Sequence, residues 1–119
     1  MCMVKSMNAH ETPGSILRAV LESILGRSGY MALMHHLLKI LGEDPLQLFF
    51  DKPRRFYEAL KEIFGENGAT VTFKIICGRL LELSGVLYPT ADELFELMLV
   101  DEDSASREIK RILEEALRR

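Results

Sequence analysis

The chain has 119 residues, 48% of them hydrophobic and 28% charged, with a formal net charge of −3. That length supports one domain that can bury a core without staples, and the composition excludes the disordered and fibrous classes. The mildly acidic balance gives no global attraction to nucleic acid or anionic lipid, and the apolar runs break well short of the ~18 residues a membrane span requires.

The opening MCMVKSMNAHETPG has one lysine and no apolar signal core, so a cytoplasmic protein with a flexible tail over 1–14 is expected. Cys2 and Cys77 are too few for a disulfide framework and form no C-x-x-C pair, so both read as free thiols. Pro13-Gly14-Ser15 supplies a turn and an N-cap at Ser15, after which Leu17, Val20, Leu21 and Ile24 share one helical face. Gly26 ends that helix. Ser28 caps the next, which carries Tyr30, Leu33, Met34, Leu37 and Leu41 inward and stops at Gly42. Asp44-Pro45 reads as a cap plus a proline at the first helical position, and Asp51-Lys52-Pro53 repeats the arrangement.

From Arg54 to Phe64 the pattern is amphipathic, with Phe56, Ala59, Leu60, Ile63 and Phe64 inward. Gly65-Glu66-Asn67-Gly68 forces a turn. Ala69 to Ser84 has strand formers at Val71, Thr72 and Phe73, but Ile76, Leu80 and Leu83 keep helical spacing, so a helix is expected, covered by neighbours over most of its circumference. Gly78 in its middle is explained by close approach of another backbone. Thr90-Ala91-Asp92-Glu93 fits a capping box for a helix bearing Leu94, Phe95 and Met98. A last helix starts at Asp103 or Ser104, with Ile109, Ile112, Leu113 and Ala116 inward and Lys110/Glu114 and Arg111/Glu115 as i,i+4 pairs. The two halves share a helix-Gly-helix rhythm without aligning as a repeat.

No catalytic signature emerges. His35 and His36 point about 100° apart on a helix and cannot serve one metal from it. His36 falls on the polar side, and His35 with Met31 and Leu38 on the border of the apolar face. Cys77 reads as a buried inert thiol. Gly26-Arg27-Ser28-Gly29 is no nucleophile elbow, Gly65-Glu66-Asn67-Gly68 no phosphate loop, and Asp101-Glu102-Asp103 opens no calcium loop. A helix-turn-helix over 75–98 fails on charge, since Asp92, Glu93, Glu96, Asp101, Glu102 and Asp103 would meet phosphate without one cation. Basic residues gather at Lys52, Arg54 and Arg55 and at Arg107, Lys110, Arg111, Arg118 and Arg119, the latter diluted by glutamates.

The run Pro53-Arg54-Arg55-Phe56-Tyr57-Glu58-Ala59-Leu60-Lys61-Glu62-Ile63-Phe64-Gly65-Glu66-Asn67-Gly68-Ala69, with the preceding Gly29-Tyr30 helix, resembles small all-helical archaeal proteins of unknown function. The resemblance covers roughly Ser28 to Ser84. It implies a stand-alone cytoplasmic domain, and neither an activity nor catalytic residues.

The fold class expected is all-α: a compact, irregular, orthogonal bundle of about five to seven short helices around a central helix at 69–84, forming a single domain over 15–119. The function expected is non-enzymatic, a self-associating or partner-binding module that needs no cofactor and no metal. The acidic Asp92, Glu93 and Glu96 would face the basic Arg107, Lys110 and Arg111 of another copy or partner. An alternative is a binder of an apolar, haem- or lipid-like ligand in a pocket near Met31, Met34, His35, Phe56 and Cys77. Nucleic-acid binding through Arg54, Arg55 and the terminal arginines ranks last.

Overall fold

Residues 12–119 are described by a computed structural model and comprise five helices and no strand. These are α1 (Pro13–Leu41), α2 (Pro45–Asp51), α3 (Pro53–Ser84), α4 (Ala91–Val100) and α5 (Glu102–Arg118). The all-α class follows the sequence periodicity. Cys2 and residues 1–11 of the expected 1–14 tail lie outside the described residues, and Pro13 and Gly14 of that tail fall in the first turn of α1. The start of α1 differs from the expected Ser15 cap. Thr12 Oγ1 accepts from the Ser15 amide at 3.1 Å, and Ser15 Oγ accepts from the Thr12 amide at 2.9 Å. Pro13 thus enters the first turn, where its missing N–H is not needed.

Each long helix contains one glycine whose backbone is not helical: Gly26 at φ 78°, ψ 167° and Gly65 at φ 80°, ψ 171°. A straight helix, rising 1.5 Å per residue, would hold Tyr57 and Phe73 roughly 24 Å apart along its axis. Their ring centroids are 6.0 Å apart, and the Tyr57 hydroxyl shares a hydrogen bond with Thr70 at 2.9 Å. The chain therefore folds back on itself at Gly65. At Gly26 the Arg18 guanidinium lies 5.5 Å from the centre of the Tyr30 ring, which marks the same reversal. This backbone region is open essentially to glycine alone.

A second glycine follows each corner three positions later. A Cβ at Gly29 would lie 3.1 Å from Leu25 Cβ, and one at Gly68 would lie 2.9 Å from Phe64 Cβ, so both corners are also tight against the limb before them. The helix-Gly-helix rhythm of the sequence is thus a Gly-x-x-Gly corner used twice. Only the first glycine leaves helical geometry. Ser28, expected as a cap, lies within the second limb of α1.

All four other helices pack against α3, which makes it the organising element. Its Phe73 is fully buried and joins an aromatic cluster with Phe49 at 5.6 Å, Tyr57 at 6.0 Å and Phe95 at 6.0 Å between ring centroids. Phe56 meets Phe49 at 5.2 Å, and Tyr57 meets Phe95 at 5.2 Å, both edge to face. Leu17, Leu21, Leu37, Leu60, Ile76, Leu80, Met98 and Ile109 complete the core around these rings.

Three expectations about α3 fail. Phe64 is exposed, because the corner at Gly65 carries it to the end of the hairpin. The outer face of the limb 66–84 is also uncovered, with Val71 56%, Ile75 41% and Leu83 51% exposed. Helical neighbours bury one side of this limb only. Among the described residues nothing lies within 4 Å of a Cβ placed on Gly78, so no backbone approach there explains that glycine. Gly78→Ala is accordingly expected to raise stability by about 0.5–1 kcal/mol, measured by urea unfolding. A decrease would reveal a constraint at this position that the fold does not show.

The helix ends combine expected and unexpected caps. Asp44 Oδ1 accepts from the Leu46 amide at 3.0 Å, and Thr90 and Glu93 form the capping box, at 3.2 and 2.9 Å. Asp51, however, does not cap α3; it sits in α2 and pairs with Lys110 at 2.9 Å. The cap comes from a distant residue. Glu102, in the first turn of α5, accepts from the Arg54 amide at 3.0 Å. The last helix starts earlier than expected, with Asp101 as its N-cap: Asp101 Oδ1 accepts from the Ser104 amide at 3.2 Å and Oδ2 from the Ser104 hydroxyl at 2.7 Å.

Those two bonds hold the Asp101 carboxyl below its ordinary range, and hydrogen bonds from Gln47 and Lys110 do the same for Asp51. A lowered native value means stability that is present above the unfolded carboxylate range and is lost as pH falls through the native one. Stability is therefore expected to decline on acidification below about pH 4. In Asp101→Ala that decline is shallower, as read from urea midpoints at a series of pH values; an unchanged slope would contradict the assignment.

Candidate interaction surface

The histidines are a surface feature. His35 and His36 are both exposed and stack edge to face with ring centroids 5.7 Å apart. Met31 is 62% exposed and Met34 half-buried, whereas Phe56 and Cys77 are sealed in the core. The five residues expected around an apolar ligand therefore do not line one cavity, because the second limb of α1 turns Met31 and His35 outward. Burial alone pushes the Cys77 thiol up to about 12. Raised from an ordinary value of 9.0, the thiol stays protonated at about pH 8, and it is the thiolate that reacts. Iodoacetamide should consequently label Cys77 only on unfolding, as read by peptide mass spectrometry; labelling of Cys77 in the native protein would contradict this burial. Among the described residues no group of three or more His, Cys, Asp or Glu is placed to hold a metal ion.

The arginines expected for nucleic acid serve the fold. Arg54 donates to the carbonyl of Met98 at 3.1 and 3.3 Å and to that of Leu99 at 3.3 Å, closing the C-terminal end of α4. Arg55 donates to the Leu41 carbonyl at 3.3 Å and pairs with Glu43 at 3.0 Å, closing α1. Both place a cation where the helix dipole favours one. Arg118 pairs with Glu115 at 2.8 Å, and the Arg119 guanidinium lies against Gly85.

The charged residues expected to face a partner are all exposed, but they differ in how much the chain already uses them. Lys110 pairs with Asp51 and Arg111 with Glu108, at 2.9 and 2.7 Å, in place of the expected Glu114 and Glu115. Arg111 also donates to the Tyr88 carbonyl at 3.1 Å. Among the described residues Arg107 reaches only the Ser104 hydroxyl, at 3.0 Å. Asp92 meets Lys74 at 3.2 Å, whose ammonium lies 5.1 Å from the centre of the Phe95 ring. Glu93 is half of the capping box. Glu96 makes no ion pair among the described residues.

These three carboxylates line a shallow groove on α4 together with Leu97 and Val100. Val100 is 78% exposed. A second groove, between the first limb of α1 and the outer face of α3, is lined by Ala19, Val20, Ser23, Arg79, Glu82 and Leu83. Sequence reasoning missed this one. No local signal marked it, because Val20 and Leu83, which line it, sit at apolar helical positions in the sequence.

No protein-family model, curated protein or solved structure matches the chain. Among the described residues no helix is long and apolar enough to cross a membrane. The functional reading accordingly rests on the chemistry of these surfaces.

Proposed function

We propose that the protein is a non-enzymatic helical module of the cytoplasm that works by association, with a second copy of itself or with another protein. The observation that supports this most is the apolar surface left in water on α3 and α4, where Val71, Leu83 and Val100 are each more than half exposed. Isolated exposed aliphatic residues are ordinary, but side chains grouped in grooves and bordered by charge are the usual form of a binding surface. On α4 the carboxylates of Asp92, Glu93 and Glu96 around Leu97 and Val100 suit a basic, amphipathic partner segment.

Light scattering from micromolar to near-millimolar protein, with and without Val100→Asp, tests the reading. A mass that rises with concentration supports association, and a lower mass in Val100→Asp assigns it to α4. A constant monomer mass, together with no partner retained by the wild type and lost by Val100→Asp, would sink the proposal.

A further inference from the structure

The outer face of α3 carries its own complement. Arg79 and Glu82 are three positions apart, so they stand on one side of the helix, and both are exposed. Neither forms an ion pair with the other, or with any described residue; Arg79 reaches only the Ser23 hydroxyl, at 3.4 Å. Beside them lie Ile75 and Leu83, 41% and 51% exposed. Gly78 leaves the middle of this face flat, and no described residue comes within 4 Å of a Cβ placed there.

We infer that this face binds a second copy of the same chain, the two α3 limbs running antiparallel about a two-fold axis midway between Leu80 and Leu81. The inference rests on the reading of the protein as an association module and names the surface and the occupant. In an isologous pair every contact occurs twice. Antiparallel helices centred at that point set Arg79 of each copy opposite Glu82 of the other, so two unpaired cations and two unpaired anions become two ion pairs. Any parallel or shifted register would leave them unmatched or set like charges together. The same register sets Leu83 of each copy opposite Gly78 of the other, beside the grooves at Ala19, Val20 and Ser23, and sets the exposed Leu87 of one copy near the level of Ile75 of the other. Apolar burial then supplies the affinity, and the crossed charges fix the register.

Charge reversal on the full chain tests this by sedimentation equilibrium. Arg79→Glu and Glu82→Arg should each weaken dimerisation on the order of tenfold, since each turns two attractions into two repulsions. The double variant should recover it to within about threefold, the compensation that a direct pair requires. Both positions are exposed, so far-UV circular dichroism of all three variants should match the wild type. A wild-type dimer indifferent to both single reversals would overturn this interface while leaving the association reading intact. Single reversals that weaken the dimer without rescue in the double variant would overturn the register. A wild type that stays monomeric at every concentration would overturn the inference, and with it self-association, while leaving the α4 surface and its partner to be judged by Val100→Asp.

Discussion

Gly65→Ala is expected to lower stability by on the order of 3 kcal/mol, with Gly26→Ala close behind. Alanine must either adopt φ near 80° with ψ near 171°, a region essentially closed to residues with a Cβ, or let the corner open. An open corner exposes Tyr57 and Phe73, which now face each other across the hairpin. The second route also favours a continuous helix, whose uncovered limbs can pair with those of another chain, so some swapped dimer should accompany the loss. Urea unfolding gives the energy and light scattering the swapped species. The comparison with Gly78→Ala is the informative part, because one substitution in one helix should have opposite signs at the two glycines. Equal effects at Gly65 and Gly78 would mean that the corner is not what fixes the hairpin.

Phe73→Ala should remove about 3–5 kcal/mol, the range for deleting a fully buried aromatic ring. Its ring holds α2, both limbs of α3 and α4 together through Phe49, Tyr57 and Phe95. Phe64→Ala should cost well under half as much, since Phe64 is 42% exposed. Thermal unfolding of the two variants checks the ranking. Similar losses would place Phe64 in the core, as its sequence phase suggests, and contradict the corner.

Local chemistry was legible in the sequence wherever both partners were close along the chain. The Asp44-Pro45 start and the Thr90–Glu93 box are each set by neighbours two or three residues apart, and sequence reasoning located both. The start of α3 could not be read that way. Its cap, Glu102, is remote in sequence from Arg54, while Asp51, the local candidate, is drawn away by Lys110. Hydrophobic period placed most buried positions, but it could not tell which side of 66–84 lacks a neighbour, because Val71 and Ile75 look like core residues until the packing of α1, α4 and α5 is known. The expected ligand pocket failed for the same reason: Met31 and Phe56 are equally apolar in sequence, and only the reversal at Gly26 decides that one faces water. The acidic and basic clusters were visible as composition, yet their intramolecular partners Lys74, Asp51 and Glu108 were not.

Association through uncovered helical faces is the central claim, and native mass spectrometry of protein purified without denaturant tests it most directly. The account predicts a species of twice the chain mass, with nothing added, that dissociates on dilution. A monomer carrying the extra mass of a retained small molecule would contradict it and would return the function to an apolar ligand.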